Sequence, residues 1–195
     1  VDFANMPAFQ SSELELVRAY LSKAHAFKMR QFIPQARGLV FDNLQWVANP
    51  LAGSAYRNVS ALVGATNVTN CYPYGQPFSS FVDGQSYLWT YSSGGGWWDN
   101  ANNIGTTSGY ASMDFGGVFN MSMGSYFGDW DVTNDFLRAP IAGGDGLTSV
   151  WSGMPHWYFQ HMGMGDNIGY SAWATMNNQT LYTPQNGGWQ GPQYN

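Results

Sequence analysis

The apolar and polar positions change period several times along the chain. Between residues 11 and 29, Leu14, Val17, Leu21 and Ala24 recur every three or four positions, the spacing of one helix face. Ser12 and Glu15 stand at capping-box spacing, in which each side chain satisfies an amide left open at the helix start. Pro34 stops any continuation. RGLVFD, residues 37–42, is almost continuously apolar and predicts a strand covered on both faces. Residues 60–68 predict a helix end followed by a strand. Further strands are predicted over 86–92, 115–123 and 147–151, the first ended by a turn at Gly94-Gly95-Gly96. Residues 135–142 predict a short helix broken near Pro140, and 156–170 a helix weakened by Gly163, Gly165 and Gly169. From Pro184 periodicity fades, so a domain over 1–183 gives way to an extended tail over 184–195 that carries Trp189.

Strands separated by helical segments predict an α/β fold, a mostly parallel sheet with helices on both faces. No internal repeat suggests a solenoid or propeller. In such sheets ligands sit beyond the carboxyl ends of the strands. Those ends are Asp42, the Ser92–Gly96 turn, the Gly124–Asp131 turn and Ser152-Gly153, which together form one candidate rim.

Composition narrows the setting. Charged residues make up 10% of the chain, against roughly 25% in ordinary soluble domains. Aromatics reach 17%, so the surface is wetted by Asn, Gln, Ser, Thr and Tyr, as is common outside the cytoplasm and inside assemblies. Residues 1–57 hold six of the seven Lys and Arg against four acids, and residues 58–195 hold Arg138 alone against eight. So acidic a body cannot neutralise a phosphate backbone, which argues against nucleic acid as a partner. The single cysteine, Cys71, excludes an intrachain disulfide and a Cys-based zinc cluster. No run approaches the length of a transmembrane helix. The chain opens on Val-Asp-Phe without an initiator Met, as a processed product would.

Two strand ends, taken together, resemble a known family. YLWTYSSGGG at 87–96 resembles the strand of gingipain-type cysteine peptidases that ends in Tyr-x-Gly-His-Gly, whose His is the general base of their caspase-like fold. FNMSMGSYFGDWD at 119–131 resembles their next strand, which ends in Cys-x-x-Gly-Asp and supplies the nucleophile. NDFLRAPIA at 134–142 is similar to the helix that follows, and ELVRAYLSKAH at 15–25 and RGLVFDN at 37–43 to the helix and strand that precede. The resemblance covers about residues 1–150 and implies a fold that begins before Val1, with an N-terminal part missing or supplied by a separate chain. It also implies two losses. Gly94 or a neighbouring glycine stands where the base would be, and Ser125 where the thiol would be. A Cys/His dyad works through a lowered thiol pKa, and neither residue can replace it. The implied protein is a catalytically silent, peptidase-like domain. It would act by binding, as a subunit alongside another protein chain in an extracytoplasmic assembly that is secreted, periplasmic or on the cell surface.

Other chemistry competes for the same residues. Ser125 with His156 or His161, and Asp129 or Asp131 between them, follows the order of a serine-hydrolase triad, although Gly-Ser-Tyr-Phe-Gly is not a nucleophile elbow. The bland alternative is a turn at Ser125 and packed histidines. Asp129, Asp131 and Asp135 offer the hard oxygens that a structural calcium takes; alternatively, Asp131 or Thr133 caps a helix starting near Asn134. Trp97, Trp98 and Tyr126, with Asp129, are candidate ligand-binding residues, and with Trp189 the tryptophans suggest a carbohydrate- or matrix-binding module. Asn58, Asn67, Asn120 and Asn178 match the glycosylation sequon, with Asn120 in a core strand.

Overall fold

The computed structural model describes residues 2–44, 50–71, 75–129, 131–151 and 157–177. The predicted helix is α1, Glu13–Lys28, and the capping box between Ser12 and Glu15 is formed in both directions. Its phase differs from the expected one. Leu16, Val17 and Tyr20 face the core, whereas Leu14 and Leu21 are 58% and 59% exposed. The inward stripe is shared with a cation: Lys23 lays its stem inward and donates to the carbonyls of Ile141 and Gly143 at 2.9 and 3.0 Å. The helix ends at Lys28, well before Pro34, and Arg30 just beyond its cap has a φ of 56°, in the left-handed region.

β1 (Gly38–Asp42), α2 (Pro50–Val63), β2 (Val68–Cys71), α3 (Ser79–Val82) and β3 (Tyr87–Ser93) follow. Three two-residue strands, β4 (Gly96–Trp97), β5 (Asn100–Ala101) and β6 (Gly105–Thr106), form a small antiparallel sheet that the sequence pattern did not announce. Then come α4 (Thr107–Ser112), β7 (Gly117–Met123), α5 (Ala139–Ala142), β8 (Thr148–Trp151) and, after a 3-10 turn over Gln160–Met164, α6 (Ile168–Met176). Pro140 opens α5 rather than breaking it, since a proline costs nothing in a first helical turn. No helix starts at Asn134, whose φ is 58°, so Asp131 and Thr133 have none to cap there. The 156–170 segment is a 3-10 turn and the start of α6 instead of one helix. The tail, Trp189 and Asn178 lie outside the described residues.

The main sheet is five-stranded and parallel, in the order β2-β1-β3-β7-β8. The protein is thus α/β, and the arrangement is consistent with a caspase-like sheet. Leu39 and Phe41 join α1, α3, Tyr110 of α4 and α5 in one core. Val40, Trp89, Tyr91 and Met121 join α2, Trp157, Phe159 and α6 in another. The two cores are the two faces of the sheet, and the alternation along β1 separates them.

The centre of the sheet is polar on one face. Thr90 donates to Asn120 at 2.8 Å, and the Ser92 and Ser122 hydroxyls meet at 3.1 Å. Asn120 also donates to Ser122 and Ser149. These groups are partnered across three adjacent strands. A slip of one residue would turn them against apolar neighbours, so the ladder fixes register. Asn58 is likewise buried, gripping the Trp157 carbonyl and the Phe159 amide. Neither Asn58 nor Asn120 is therefore placed to carry a glycan.

Arg138 and Asp135 form a second buried polar unit, 3.5 Å apart. Arg138 also donates to the carbonyls of Ala4 and Val132, tying the first residues to the loop after β7. Replacing Arg138 by Ala strands the Asp135 carboxyl and is expected to cost about 3–5 kcal/mol in urea unfolding at neutral pH. The paired variant Arg138→Met with Asp135→Leu is expected to recover most of that loss.

Candidate functional site

The topology reverses direction at β1 and β3, and ligands in open α/β sheets bind beyond the strand ends at such a point. The last residues of these two strands are joined there: Ser93 donates to Asp42 at 2.9 Å, and the Asn43 amide donates to the Ser93 carbonyl. Asn43 in turn donates to the Asn102 carbonyl, linking the crevice to the small sheet.

The next pair of ends, β3 and β7, is joined in the same way. The Gly94 amide donates to the Met123 carbonyl at 3.0 Å, extending the pairing past both strands. Gly96 lies against the backbone of Ser125, where a Cβ would come within 2.7 Å of the Ser125 nitrogen. Gly124 lies against the Phe127 ring, where a Cβ would come within 2.4 Å. Phe127 is fully buried beneath this contact and packs on Phe136. Glycine at 96 and 124 is therefore a demand of close approach. Residues 94 and 125 share one end of the sheet, as expected.

Tyr126 sits in the left-handed region, with φ 64°, so that Phe127 turns inward while Tyr126 turns outward. Its ring meets Trp97 at 4.6 Å edge-on, and Trp97 meets Trp98 at 4.2 Å. Trp97, Trp98 and Tyr126 are 41%, 37% and 50% exposed. Three of the four expected ligand-binding residues thus form one solvent-facing aromatic cluster. Asp129 is exposed on the same turn, its amide bonded to the Tyr126 carbonyl. Residues 58–195 contain one Lys or Arg, Arg138, and it is buried away from this cluster.

Among the described residues, Ser125 is not brought to His161, nor Asp135 to Asp129 and Asp131. Ser125 is exposed, and among the described residues no side chain hydrogen-bonds its Oγ. His161 belongs to the α2 and α6 side of the sheet, with its ring against Tyr170 and its Nδ1 4.0 Å from Asp166. Two residues on, Gly163 abuts the Ala61 carbonyl near the end of α2. His156 lies outside the described residues, as do Ser152 and Gly153 of the expected rim. Asp135 turns inward to Arg138, and burial pushes its carboxyl up to about 6 against the pull of that guanidinium. It is therefore separated from the exposed Asp129 and Asp131. Among the described residues no three His, Cys, Asp or Glu are grouped to hold a metal ion.

Cys71 is no displaced nucleophile. It ends the edge strand β2, buried, and burial pushes its thiol up to about 11. Native protein at pH 8 is expected to leave Ellman's reagent unreacted and to release one equivalent of thiolate on unfolding in urea. Rapid native reaction would show an accessible, activated thiol. In comparisons with protein-family models, with curated proteins and with solved structures, nothing matches this chain.

Proposed function

We propose that this is a caspase-like domain without peptidase chemistry, acting by binding as a subunit of an extracytoplasmic assembly. Its working surface is the rim around the ends of β3 and β7. The observation that carries this reading is the composition of that rim: glycine and a serine without a side-chain partner among the described residues at the tips, beside the exposed cluster of Trp97, Trp98 and Tyr126. A serine hydroxyl needs a base within hydrogen-bond reach to act as a nucleophile. Exposed tryptophan and tyrosine faces, by contrast, carry large binding energy for little lost side-chain entropy. The sparse charge of the surface and its aromatic content suit a packed interface.

The same cluster favours a second reading, a carbohydrate- or matrix-binding module. The small sheet that carries Trp97 is also bonded to Asn43 through Asn102 and Asn103, and flat rings with neutral amides on one small sheet suit a neutral polyhydroxylated ligand.

Two measurements test these readings. A fluorophosphonate probe is expected to leave Ser125 unlabelled, and stoichiometric labelling would make the protein a serine hydrolase. Titration with extended peptides and neutral oligosaccharides is expected to shift tryptophan emission. Trp97→Ala and Tyr126→Ala are each expected to weaken that binding about tenfold or more. Binding unchanged in both variants would remove the rim as the working surface; saturable binding of oligosaccharides alone would select the second reading.

A further inference from the structure

The chain has seven Lys and Arg, and four of them are engaged internally. Lys23 donates to carbonyls after α5. Arg37 donates to the Ser86 carbonyl and lies over Tyr87. Arg57 donates to the Trp157 carbonyl and lies over Tyr158. Arg138 is buried with Asp135. The remaining three, Arg18, Lys28 and Arg30, are exposed, and none is ion-paired among the described residues.

These three share one surface with exposed apolar side chains. Leu14, Arg18, Leu21, His25 and Lys28 recur at three and four residues along α1, forming the stripe opposite its buried face. The stripe runs into Met29, Arg30 and Ile33, and Ile33 is 73% exposed. Beside them lies a groove of about 490 Å³, floored by Phe27, Phe32 and Leu88, with Lys28 and Arg30 at its edge. Leu88 is near the start of β3, so the groove lies at the opposite end of that strand from the aromatic rim.

We propose that this stripe and groove form a docking site for an acidic, apolar segment of a partner protein. Charge selects the acid: the chain is acidic overall, yet Lys28 and Arg30 edge this groove, and Arg18 stands on the same stripe about 15 Å up the helix. The concave apolar floor selects a discrete anchoring side chain over a fluid lipid surface. Paired carboxylates would meet Arg18, Lys28 and Arg30, while a Leu, Phe or Trp side chain fills the groove. This site is separate from the rim and its occupancy does not depend on the rim's ligand.

The test selects a phage-displayed random peptide library on the immobilised whole chain. Enriched peptides are expected to carry Asp or Glu around a large apolar residue. Synthetic copies are expected to bind about tenfold or more weakly to the variant Arg18→Gln, Lys28→Gln, Arg30→Gln, and separately to Ile33→Ser. Binding is also expected to weaken steeply between about 50 and about 300 mM salt. The circular dichroism and melting temperature of both variants are expected to match wild type, since every substitution is on the surface. Enriched peptides that lack acids, or that bind the folded variants as well as wild type, would overturn the proposal. So would preferential binding to phosphatidylserine vesicles, or self-association through this face in sedimentation.

Discussion

The contact between the tips of β3 and β7 is the constraint from which the site follows. Phe127 is buried under Gly124 and beside Gly96, and its ring occupies the space that side chains at those positions would need. This burial turns the chain sharply after β7 and forces Tyr126 into a left-handed conformation facing solvent. Trp97, carried on the small sheet after β3, is thereby brought onto Tyr126. An apolar anchor below the surface thus sets the geometry of an aromatic cluster above it.

The sheet that supports this contact is fixed by polar chemistry inside an otherwise apolar body. The ladder of Thr90, Ser92, Asn120, Ser122 and Ser149 satisfies its own donors and acceptors across β3, β7 and β8. Buried groups of this kind contribute little net stability when paired and cost much when unpaired. Their value is selectivity among registers. The same economy governs the cations, four of which serve carbonyls, aromatic faces or a buried carboxylate, leaving only three for the outer face of α1 and the turn that follows it.

Strand identity was legible because β1, β3, β7 and β8 are short apolar runs bounded by turn residues, and the capping box marked the start of α1. Helix phase was not. Val17 of the expected stripe does pack on the core, but with Leu16 and Tyr20 in place of Leu14 and Leu21, and the buried face also carries Lys23, whose ammonium reaches backbone carbonyls more than a hundred residues away. The expected convergence of Asp129, Asp131 and Asp135 failed for a similar reason, since Asp135 is claimed by Arg138. The proximity of Gly94 and Ser125 was legible, because adjacent parallel strands deliver their ends to one edge. The small antiparallel sheet was not, as its strands are too short to show a period. The link between Asp42 and Ser93 could have been found from both being the final residues of neighbouring strands.

Gly94 has a consequence for reactivity at this edge. A Cβ there would come within 2.5 Å of the Asn102 carbonyl, which the small sheet holds in place. An imidazole grafted at that position, even opposite a thiol installed at 125, would have to push the 100–105 hairpin aside before it could accept a proton. Simple exchange of two residues would not install a dyad here: the hindrance lies in the main chain, and not merely in the side chains displayed.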